Sequence, residues 1–347
     1  RVLFRSVILG GGAEVDEDED AEYDKGLLAY VREDGRIATP ADTCGANTGR
    51  MKHRKVANIP RVTSVYGKEM RALFGVSEGC YQFGYDFSSL EGRVESHYCW
   101  KWDDIKDYCN ALIQEKPNDV HTLLAKKISD ILSRAFTRAS AKSLKYGSTY
   151  GAQVKKVAKM LGVDLETAQE ILDAFWAAAQ PLATLRDKVK AFWEKTGKKD
   201  YIFGIDKRKL KARSPHSLVN LLFQSAGAIA AKIVAIRWEQ KLEAAGLKQD
   251  WFGESLKKEY CQSIIKYHDE EQAEVSRSLV KWHVLEENAC KPANASATIE
   301  AKGKHYYATS VVADLLLEAV AEVNAELKLN VPLAVEWIVG RNWAEAH

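Results

Sequence analysis

The chain has 347 residues, of which 46% are hydrophobic and 28% are charged, a composition typical of a globular protein with a large core. Its net charge of +2 excludes a basic field over the whole protein, so any surface for nucleic acid must be local. The six cysteines form no CxxC pair, which argues against a zinc site or disulfide framework and favours a reducing compartment. We see no signal peptide and no apolar run that predicts a membrane span, so we expect a cytoplasmic protein without a membrane partner.

The first residues do not look like a native beginning. The chain starts with "RVLFRS" rather than Met, which resembles a translated sequencing adapter, and an acidic run, "EVDEDEDAEYD", occupies residues 14–24. A solvated loop is the simpler interpretation of the acidic run. We therefore expect an assembled metagenomic fragment whose upstream region is missing, with residues 1–27 non-native or a remnant of a preceding thumb domain.

The apolar periodicity predicts sheet pieces interrupted by one long helical insertion, an α+β fold. Within the helical region Asp164 is a candidate N-cap, Pro181 can open the next helix and Gly197 can close it. The expected elements, in chain order, are a strand at 80–87, a helix at 88–102, helices over 104–196, a basic hairpin at 200–216, a long helix at 216–247, a strand at 264–275, a helix at 308–328 and a last strand at 331–343.

Two carboxylates stand at unusual places in the strand pattern. Asp86 is the next-to-last residue of the stretch "CYQFGYDF", and Asp269 lies in "IIKYHDEEQAEV", where four polar residues, 268–271, interrupt an apolar strand. Burying neighbouring carboxylates is costly unless a cation offsets their charge. Taken singly, each Asp has a simpler structural interpretation. Together they suit a pair of Mg²⁺ ions, which accept one or two carboxylates and complete their shells with phosphate and water.

A basic segment supplies the complementary charge. In "RAFTRASAKSLKYGSTYG", Arg134, Arg138, Lys142 and Tyr146 recur every four residues, which places them on one face of a helix. Like charges at this spacing repel, and a solvated basic face is the simpler interpretation. The functional interpretation is a face that binds a polyphosphate, with the aromatic ring available for a base or sugar. Such a face and two Asp residues are the two halves of a nucleotidyl-transfer site.

The ordered set of segments resembles DNA polymerase family A, the DNA polymerase I type, and most of all its phage replicative branch. Each motif is weak alone, but their order along the chain is specific. The matching segments are "TGRMKHRKVANIP" with Arg50, "DFSSLEGRVESH" with Asp86, Glu91, Arg93 and His97, "DVHT" with His121, "RASAKSLKYGSTYG" with Arg138, Lys142, Tyr146, Tyr150 and Gly151, "RSPHSLVNLLFQSAGA" with Asn220 and Gln224, "HDE" with His268, Asp269 and Glu270, and "GRNWAEAH" at the end.

The resemblance implies a template-directed DNA polymerase that adds dNMP to a primer 3′-hydroxyl, with phage genome replication as its expected setting. Asp86 and Asp269 would bind two Mg²⁺, for which Mn²⁺ is expected to substitute, with Asp269 at the bend of a hairpin and Glu270 as an outer ligand. The metals would activate the hydroxyl and neutralise the phosphates. The implied triphosphate-binding residues are His121, Arg138 and Lys142, with Lys142 also able to protonate the leaving pyrophosphate.

The resemblance also implies how the nucleotide and DNA are recognised. Tyr146 would stack on the incoming nucleotide, and Glu91 would close the pocket where a 2′-hydroxyl would lie. A tyrosine at position 146 resembles the variants that accept dideoxynucleotides, because its hydroxyl can replace the missing 3′-hydroxyl contact. The implied contacts to primer-template DNA are Arg50, Tyr150, Gly151, Asn220, Gln224 and His268. The basic hairpin around 207–213 could touch phosphates or simply be solvated.

The implied architecture is a right hand with a palm of antiparallel sheet and helices. We expect a first palm segment with Asp86 at 28–103, helical fingers with Lys142 at 104–213, and a second palm segment with Asp269 and the C-terminal tail at 214–347. No proofreading exonuclease domain fits in this chain. We expect residues 276–307 to be a surface insertion without an assigned role.

Some interpretations stay open at this point. A single-subunit RNA polymerase shares the palm chemistry, although Glu91 argues against it, and a catalytically impaired DNA-binding fragment is a further alternative. A processivity partner is possible. The family usually has an apolar residue where this chain has Glu271, so we expect that carboxylate to point to solvent or to make its strand less buried.

Overall fold

The computed structural model describes residues 27–56, 59–195, 201–212, 214–249, 257–287 and 289–347. The expectations for the N-terminal acidic run, for Gly197 as a helix end and for Arg213 in the basic hairpin lie outside these residues.

The described strands include those expected within 80–87, 200–216, 264–275 and 331–343. Residues 80–87 form a strand with the bounds expected from the sequence. The strands are β1 (Ala41–Asp42), β2 (Lys52–His53), β3 (Cys80–Phe87), β4 (Tyr201–Phe203), β5 (Lys209–Lys211), β6 (Cys261–Tyr267), β7 (Glu270–Ser276), β8 (Val280–Leu285), β9 (Ile299–Ala301), β10 (Lys304–Ser310) and β11 (Val335–Gly340). Among them, β1, β2, β8, β9 and β10 were not predicted from the sequence.

Helices fill the region between β3 and β4 and two later segments. Asp164 caps its helix as expected, accepting a hydrogen bond from the Thr167 backbone N–H at 2.8 Å. The helices are α1 (Gly67–Ala72), α2 (Leu90–Cys99), α3 (Asp107–Ala111), α4 (Val120–Leu132), α5 (Arg138–Thr149), α6 (Val154–Leu161), α7 (Leu165–Ala178), α8 (Gln180–Lys195), α9 (Leu218–Ala244) and α10 (Val311–Leu327).

The central element is an antiparallel four-stranded sheet in the order β11-β3-β7-β6. The acidic stretch has the apolar pattern of one strand but forms a hairpin, which confirms the expected place of Asp269 at a hairpin bend: β6 ends at Tyr267 and β7 begins at Glu270. His268 makes the turn with a positive φ of 61°. The register sets Asp86 opposite Glu270, so the hairpin turn and the end of β3 lie at the same edge of the sheet.

The two faces of this sheet differ in polarity. On one face Phe83 and Tyr85 pack their rings against Trp238 of α9, with centroids 5.7 and 5.4 Å away. The other face buries polar side chains of β7, among them Gln272, which donates to the Ala346 carbonyl at 2.9 Å. Apolar packing therefore fixes the sheet on α9, while hydrogen bonds fix it to the C-terminal segment.

The long helix α9 is the main apolar support of the sheet. Its span Pro215–Ala244 is long and apolar enough, by those two criteria, to cross a membrane, which the sequence did not lead us to expect. However, 56% of its most apolar window is buried inside the protein, where it packs on α2, α8 and α10. Core packing therefore accounts for its apolar residues.

Residues 276–307 contain ordered structure of their own. Strands β8, β10 and β9 form a separate three-stranded antiparallel sheet, in that order. This sheet is tied to the central one where the Ala297 backbone N–H donates to the Trp337 carbonyl at 2.7 Å. The interpretation as an added surface element fits this arrangement, and the added element is a small sheet rather than a loop.

Two sequence expectations are wrong. Arg134 does not share a helix face with Lys142, because α5 begins at Arg138, and Arg134 instead pairs with Glu170 at 3.3 Å. Glu271 neither points to solvent nor loosens its strand, since it is 2% exposed and accepts a hydrogen bond from the Tyr85 hydroxyl at 2.7 Å. A nearby tyrosine that serves as donor is what allows this carboxylate in the core.

Removal of the Tyr85 hydroxyl should destabilise the protein. In Tyr85→Phe, the buried Glu271 loses a donor while its second oxygen has no hydrogen-bond partner among the described residues. We expect the free energy of unfolding in urea to fall by about 1–3 kcal/mol. Tyr98→Phe is the matched control, because the Tyr98 hydroxyl is buried without a hydrogen-bond partner among those residues and its loss should be nearly neutral. Equal effects of the two substitutions would contradict the role of Tyr85.

Candidate active site

Two Asp residues meet at the edge of the central sheet because of how β3 and β7 pair. Asp86 is the next-to-last residue of β3, and Asp269 lies in the turn just before β7. The Phe87 backbone N–H donates to the Asp269 carbonyl at 3.4 Å, which joins the two segments at this point. The sequence expectation that Asp86 and Asp269 come together is therefore consistent with the backbone geometry.

The electrostatics of this edge favour a cation. The pKa of Asp86 is raised to about 7, first because protein atoms surround its carboxyl group and then because Asp269 and Glu270 add negative charge. The Asp86 side chain nevertheless keeps access to solvent, so a ligand can reach it. Two adjacent carboxylates that repel one another and remain accessible fit the ligand set of Mg²⁺.

Glu270 is held in a different way from the two Asp residues. Its carboxylate accepts hydrogen bonds from the indole of Trp343 and, at 2.6 Å, from Gln272, and it pairs with Arg71 at 3.5 Å and with His347 at 3.1 Å. Burial alone would raise the pKa of Glu270, but its bonds from His347 and Trp343 outweigh burial and lower it. With these partners the carboxylate anchors the C-terminal segment next to the edge that carries Asp86 and Asp269.

A cleft beside Asp269 collects residues from four separate segments of the chain. Its lining includes side chains from the loop before β2, from α2, from α9 and from the β6–β7 turn. Among the residues expected from the sequence, those that line it are Arg50, Glu91, Gln224, His268, Asp269 and Glu270. Burial lowers the pKa of His268, and the positive charge of Arg50 lowers it further. Burial raises the pKa of Glu91, and the charge of Arg50 opposes that rise without cancelling it.

The loop that carries Arg50 is held by two basic residues that the sequence did not identify. Arg208, in the β4–β5 hairpin, donates to the Thr48 carbonyl at 2.8 Å and to Ser225 of α9 at 2.8 Å. Lys232 of α9 donates to the Gly49 carbonyl at 2.6 Å. Arg208 is therefore an internal support, which corrects the interpretation of the hairpin arginine as a phosphate contact or a solvated charge.

Helix α5 presents the cationic group expected from its spacing. Arg138 stands at its first position, and Lys142 and Tyr146 follow at intervals of four residues with exposed side chains. His121, from the first turn of α4, lies against this face with its ring centroid 5.6 Å from that of Tyr146. The four expected nucleotide-binding residues of α4 and α5 thus form one group.

In this structure Arg138 is engaged by a carboxylate. Asp119 accepts hydrogen bonds from two nitrogens of the Arg138 guanidinium, and it also caps α4 by accepting from the Thr122 backbone N–H at 3.0 Å. Burial would raise the pKa of Asp119, but the Arg138 guanidinium outweighs burial and holds it well below its usual range. Asp119 orients Arg138, a role that the "DVHT" segment could have indicated through its capping pattern.

The residues expected to contact DNA beyond the nucleotide also cluster. Gln224 of α9 donates to the Tyr150 hydroxyl at 3.3 Å, which links α9 to the end of α5. Gly151 has a φ of 80°, and a Cβ there would lie 2.5 Å from the His216 carbonyl, so glycine is required. Asn220 has a buried side-chain oxygen without a hydrogen-bond partner among the described residues, one turn from Gln224.

A buried ion pair lies between α2 and α5, where sequence reasoning expected nothing. Lys145 Nζ donates to Glu95 Oε2 at 2.7 Å, and the Tyr108 hydroxyl donates to the other oxygen of Glu95. Lys145 is 6% and Glu95 0% exposed. The helical pattern alone cannot reveal such a pair, because a charged residue on a helix usually indicates a solvated face.

Comparison with known proteins gives a consistent family. The model of DNA polymerase family A matches residues 18–290. The DNA-directed DNA polymerase of Escherichia phage T7 is 33% identical over 257 residues, which cover 68% of this chain and 35% of that protein. The DNA-directed DNA polymerase of Enterobacteria phage T3 is 30% identical over 350 residues, which cover 95% of this chain and 44% of that protein.

A solved structure has the same fold. It is described as the POL domain of Pol1 from M. smegmatis in complex with DNA primer-template and dNTP, and it superposes with a TM-score of 0.67 at 21% identity, covering 92% of this chain and 50% of that one. The chain spans less than half the length of the two phage relatives. With its α+β right-hand fold and the match over most of its length, the chain belongs to DNA polymerase family A.

Proposed function

We propose that this chain catalyses template-directed DNA synthesis, in which the primer 3′-hydroxyl attacks the α-phosphate of a dNTP and pyrophosphate leaves. The observation that carries the proposal is the pairing of β3 with β7, which sets Asp86 beside Asp269 at an accessible edge next to the cleft of Arg50 and Glu91. Family membership favours this activity over that of a single-subunit RNA polymerase. The phage relatives support phage replication, in the cytoplasm of the host cell, as its setting.

Asp86 and Asp269 would hold two Mg²⁺ ions, with Mn²⁺ as a substitute. When bound, such ions act as Lewis acids that activate a hydroxyl and neutralise phosphate charge. The described residues contain no cluster of three or more His, Cys, Asp or Glu side chains arranged for a metal. A set of two carboxylates is nevertheless what Mg²⁺ accepts when the substrate supplies phosphate oxygens. We assign Glu270 to the C-terminal anchor rather than to direct metal binding.

The cationic side chains of α5 bind the triphosphate of the incoming nucleotide. Arg138, oriented by Asp119, offers a planar fork that suits bidentate phosphate binding. Lys142 stands one turn further on, where it can bind the phosphates and donate a proton to the leaving pyrophosphate. Tyr146 stacks on the incoming nucleotide, and Glu91 in the adjacent cleft excludes a ribose 2′-hydroxyl.

His121 serves as a neutral hydrogen-bond donor to the phosphates. Burial and then the charge of Lys145 lower its pKa to about 4, so the ring carries no charge at neutral pH. A buried cation at this position would add to the repulsion among Lys142, Arg138 and Lys145. The neutral ring leaves the phosphate charge to the exposed cations.

Primer-template DNA is proposed to lie across the cleft. Asn220 and Gln224 on α9 can reach minor-groove acceptors that all correct base pairs share, which checks shape without reading sequence. Arg50 and His268 line the same cleft near Asp269, where the primer end would lie. Tyr150 and Gly151 would contact the template base. A processivity partner remains a proposal without a surface assigned to it.

Replacement of a metal-binding carboxylate should abolish synthesis. In a primer-extension assay with Mg²⁺ and dNTPs, we expect Asp269→Asn and Asp86→Asn each to reduce the rate at least about a thousandfold, since a lost metal contact removes several kcal/mol of stabilisation. Asp130→Asn, at an exposed position on α4, is the matched control and should extend like the parent. Extension by Asp269→Asn at the parental rate would refute the proposed site.

The hydroxyl of Tyr146 should control dideoxynucleotide use. We expect the parent to incorporate ddNTP efficiently, and Tyr146→Phe to raise discrimination against ddNTP by roughly tenfold or more, the value of one hydrogen bond. Tyr150→Phe is the control, because its hydroxyl contacts Gln224 instead of the nucleotide. The measurement is the ratio of kcat/KM for dNTP and ddNTP, and an unchanged ratio in Tyr146→Phe would contradict the assignment.

The low pKa of His121 should make stability depend on pH. Between about pH 4 and pH 6.5 the folded state binds fewer protons at His121 than the unfolded chain does, so stability falls as the pH decreases through this range. One such group changes the unfolding free energy by at most about 1.4 kcal/mol per pH unit. In urea unfolding at several pH values, His121→Asn should show a shallower dependence than the parent.

The exposed His305 provides the control for this measurement. His305→Asn should keep the parental dependence of stability on pH. If His121→Asn also kept it, the neutral His121 would not be the source of the effect.

A further inference from the structure

The buried pair of Lys145 and Glu95 lies beneath the proposed nucleotide pocket. Lys145 directly precedes Tyr146 on α5, and Glu95 follows Glu91 by one turn of α2. The ammonium is 2.7 Å from the carboxylate and 5.7 Å from the centroid of the Tyr146 ring. The pair therefore connects the two helices that carry the proposed sugar-binding and stacking residues.

Stability alone does not account for this pair. A buried ion pair loses the hydration of both groups, and apolar side chains of similar volume are often as stable or more so. The surroundings would suit such side chains, because Leu144 and Cys99 next to the pair are fully buried in the main core. Tyr108 is also fully buried, and its hydroxyl donates a hydrogen bond to Glu95. The charges are thus kept where apolar packing was available.

The charge of Lys145 reaches beyond Glu95. A lysine ammonium has three donors, and one of them is used by Glu95. Lys145 is also the leading positive charge that acts on the half-buried carboxyl group of Glu91. This attraction would act across the gap between α2 and α5, because Glu91 lies one turn before Glu95 on α2 and Tyr146 directly follows Lys145 on α5.

We propose that Lys145 and Glu95 act as a positioning pair that fixes Glu91 against Tyr146 and thereby sets the discrimination between deoxyribonucleotides and ribonucleotides. The inference rests on the proposed polymerase function. Glu95 fixes the ammonium between the helices, and the ammonium fixes Glu91. Neither Lys145 nor Glu95 touches the nucleotide.

Removal of both charges separates positioning from packing. Glu95→Leu combined with Lys145→Met keeps the apolar volume and leaves no unpaired charge, although the buried Tyr108 hydroxyl loses its acceptor, so this double variant should melt closer to the parent than either single variant does. We expect its ratio of kcat/KM for dNTP over rNTP, in single-nucleotide primer extension, to fall at least roughly tenfold, with most of the change in the KM for rNTP. Lys241→Met, which removes another interhelical ion pair far from the cleft, should leave the ratio unchanged.

Two single variants give a signature that a structural role would not produce. Glu95→Gln keeps a hydrogen-bond acceptor for Lys145 while it frees the ammonium charge for Glu91, so the sugar ratio should equal or exceed that of the parent. Lys145→Met removes the charge and should lower the ratio. Both leave a buried group without its charged partner and should lower the melting temperature.

The outcomes are distinguishable. Parental sugar discrimination in the double variant, or an equal loss in Glu95→Gln and Lys145→Met, would show that the pair only packs and would overturn the inference. A parent chain that extends no primer with dNTPs would overturn the proposed function, and this inference with it. A ratio that follows the Lys145 charge across all three variants would support it.

Discussion

The pairing of β3 with β7 is the constraint on which the site depends. The antiparallel register sets Asp86 opposite Glu270 and thereby brings the turn residue Asp269 to the end of β3. The carboxylates of Asp86 and Asp269 therefore meet although they lie 183 positions apart in the sequence. The charge of His347 opposes their repulsion at Asp86, but burial and the two neighbouring carboxylates outweigh it and raise the pKa of Asp86 to about 7. The fold thus holds an electrostatically unfavourable arrangement through strand pairing, and a bound cation would offset it.

The buried carboxylates of β7, in contrast, have partners within the protein. Glu270 has Trp343, Gln272, Arg71 and His347 around it, and Glu271 on the opposite face accepts from Tyr85 and lies 3.8 Å from the Lys266 ammonium. The same strand therefore alternates between a carboxylate that anchors the C-terminal segment and one that anchors β3. Both lie next to the edge that carries Asp86 and Asp269, and their hydrogen bonds restrict the movement of the backbone there.

The sequence predicted the elements well where a periodic pattern or a cap decides them. The bounds of β3 and the cap of Asp164 required only local rules, and the motif order placed Arg50, Glu91 and Asp269 in one cleft. Prediction from the sequence failed for charged side chains that are buried in the core. The sequence indicates a Glu271 that faces solvent or loosens its strand and a hairpin around Arg208 that binds phosphate or is solvated, and nothing in it singles out Lys145. The partner that makes burial tolerable comes from a distant segment in each case. Such a partner is a tertiary contact, which neither composition nor spacing encodes.

These misjudged charges share a structural feature. Each of them joins two segments that carry a proposed functional residue: Tyr85 with Glu271 beside Asp86 and Asp269, Glu95 with Lys145 beside Glu91 and Tyr146, and Arg208 with Thr48 beside Arg50. A hydrogen bond between charged groups is directional, whereas apolar contacts permit sliding and rotation. A site assembled from a sheet edge, two helices and a loop needs fixed relative positions at each junction. Directional buried contacts at those junctions supply that precision. Their desolvation lowers the stability of the fold, and the burial of the large apolar core around α9 offsets this loss.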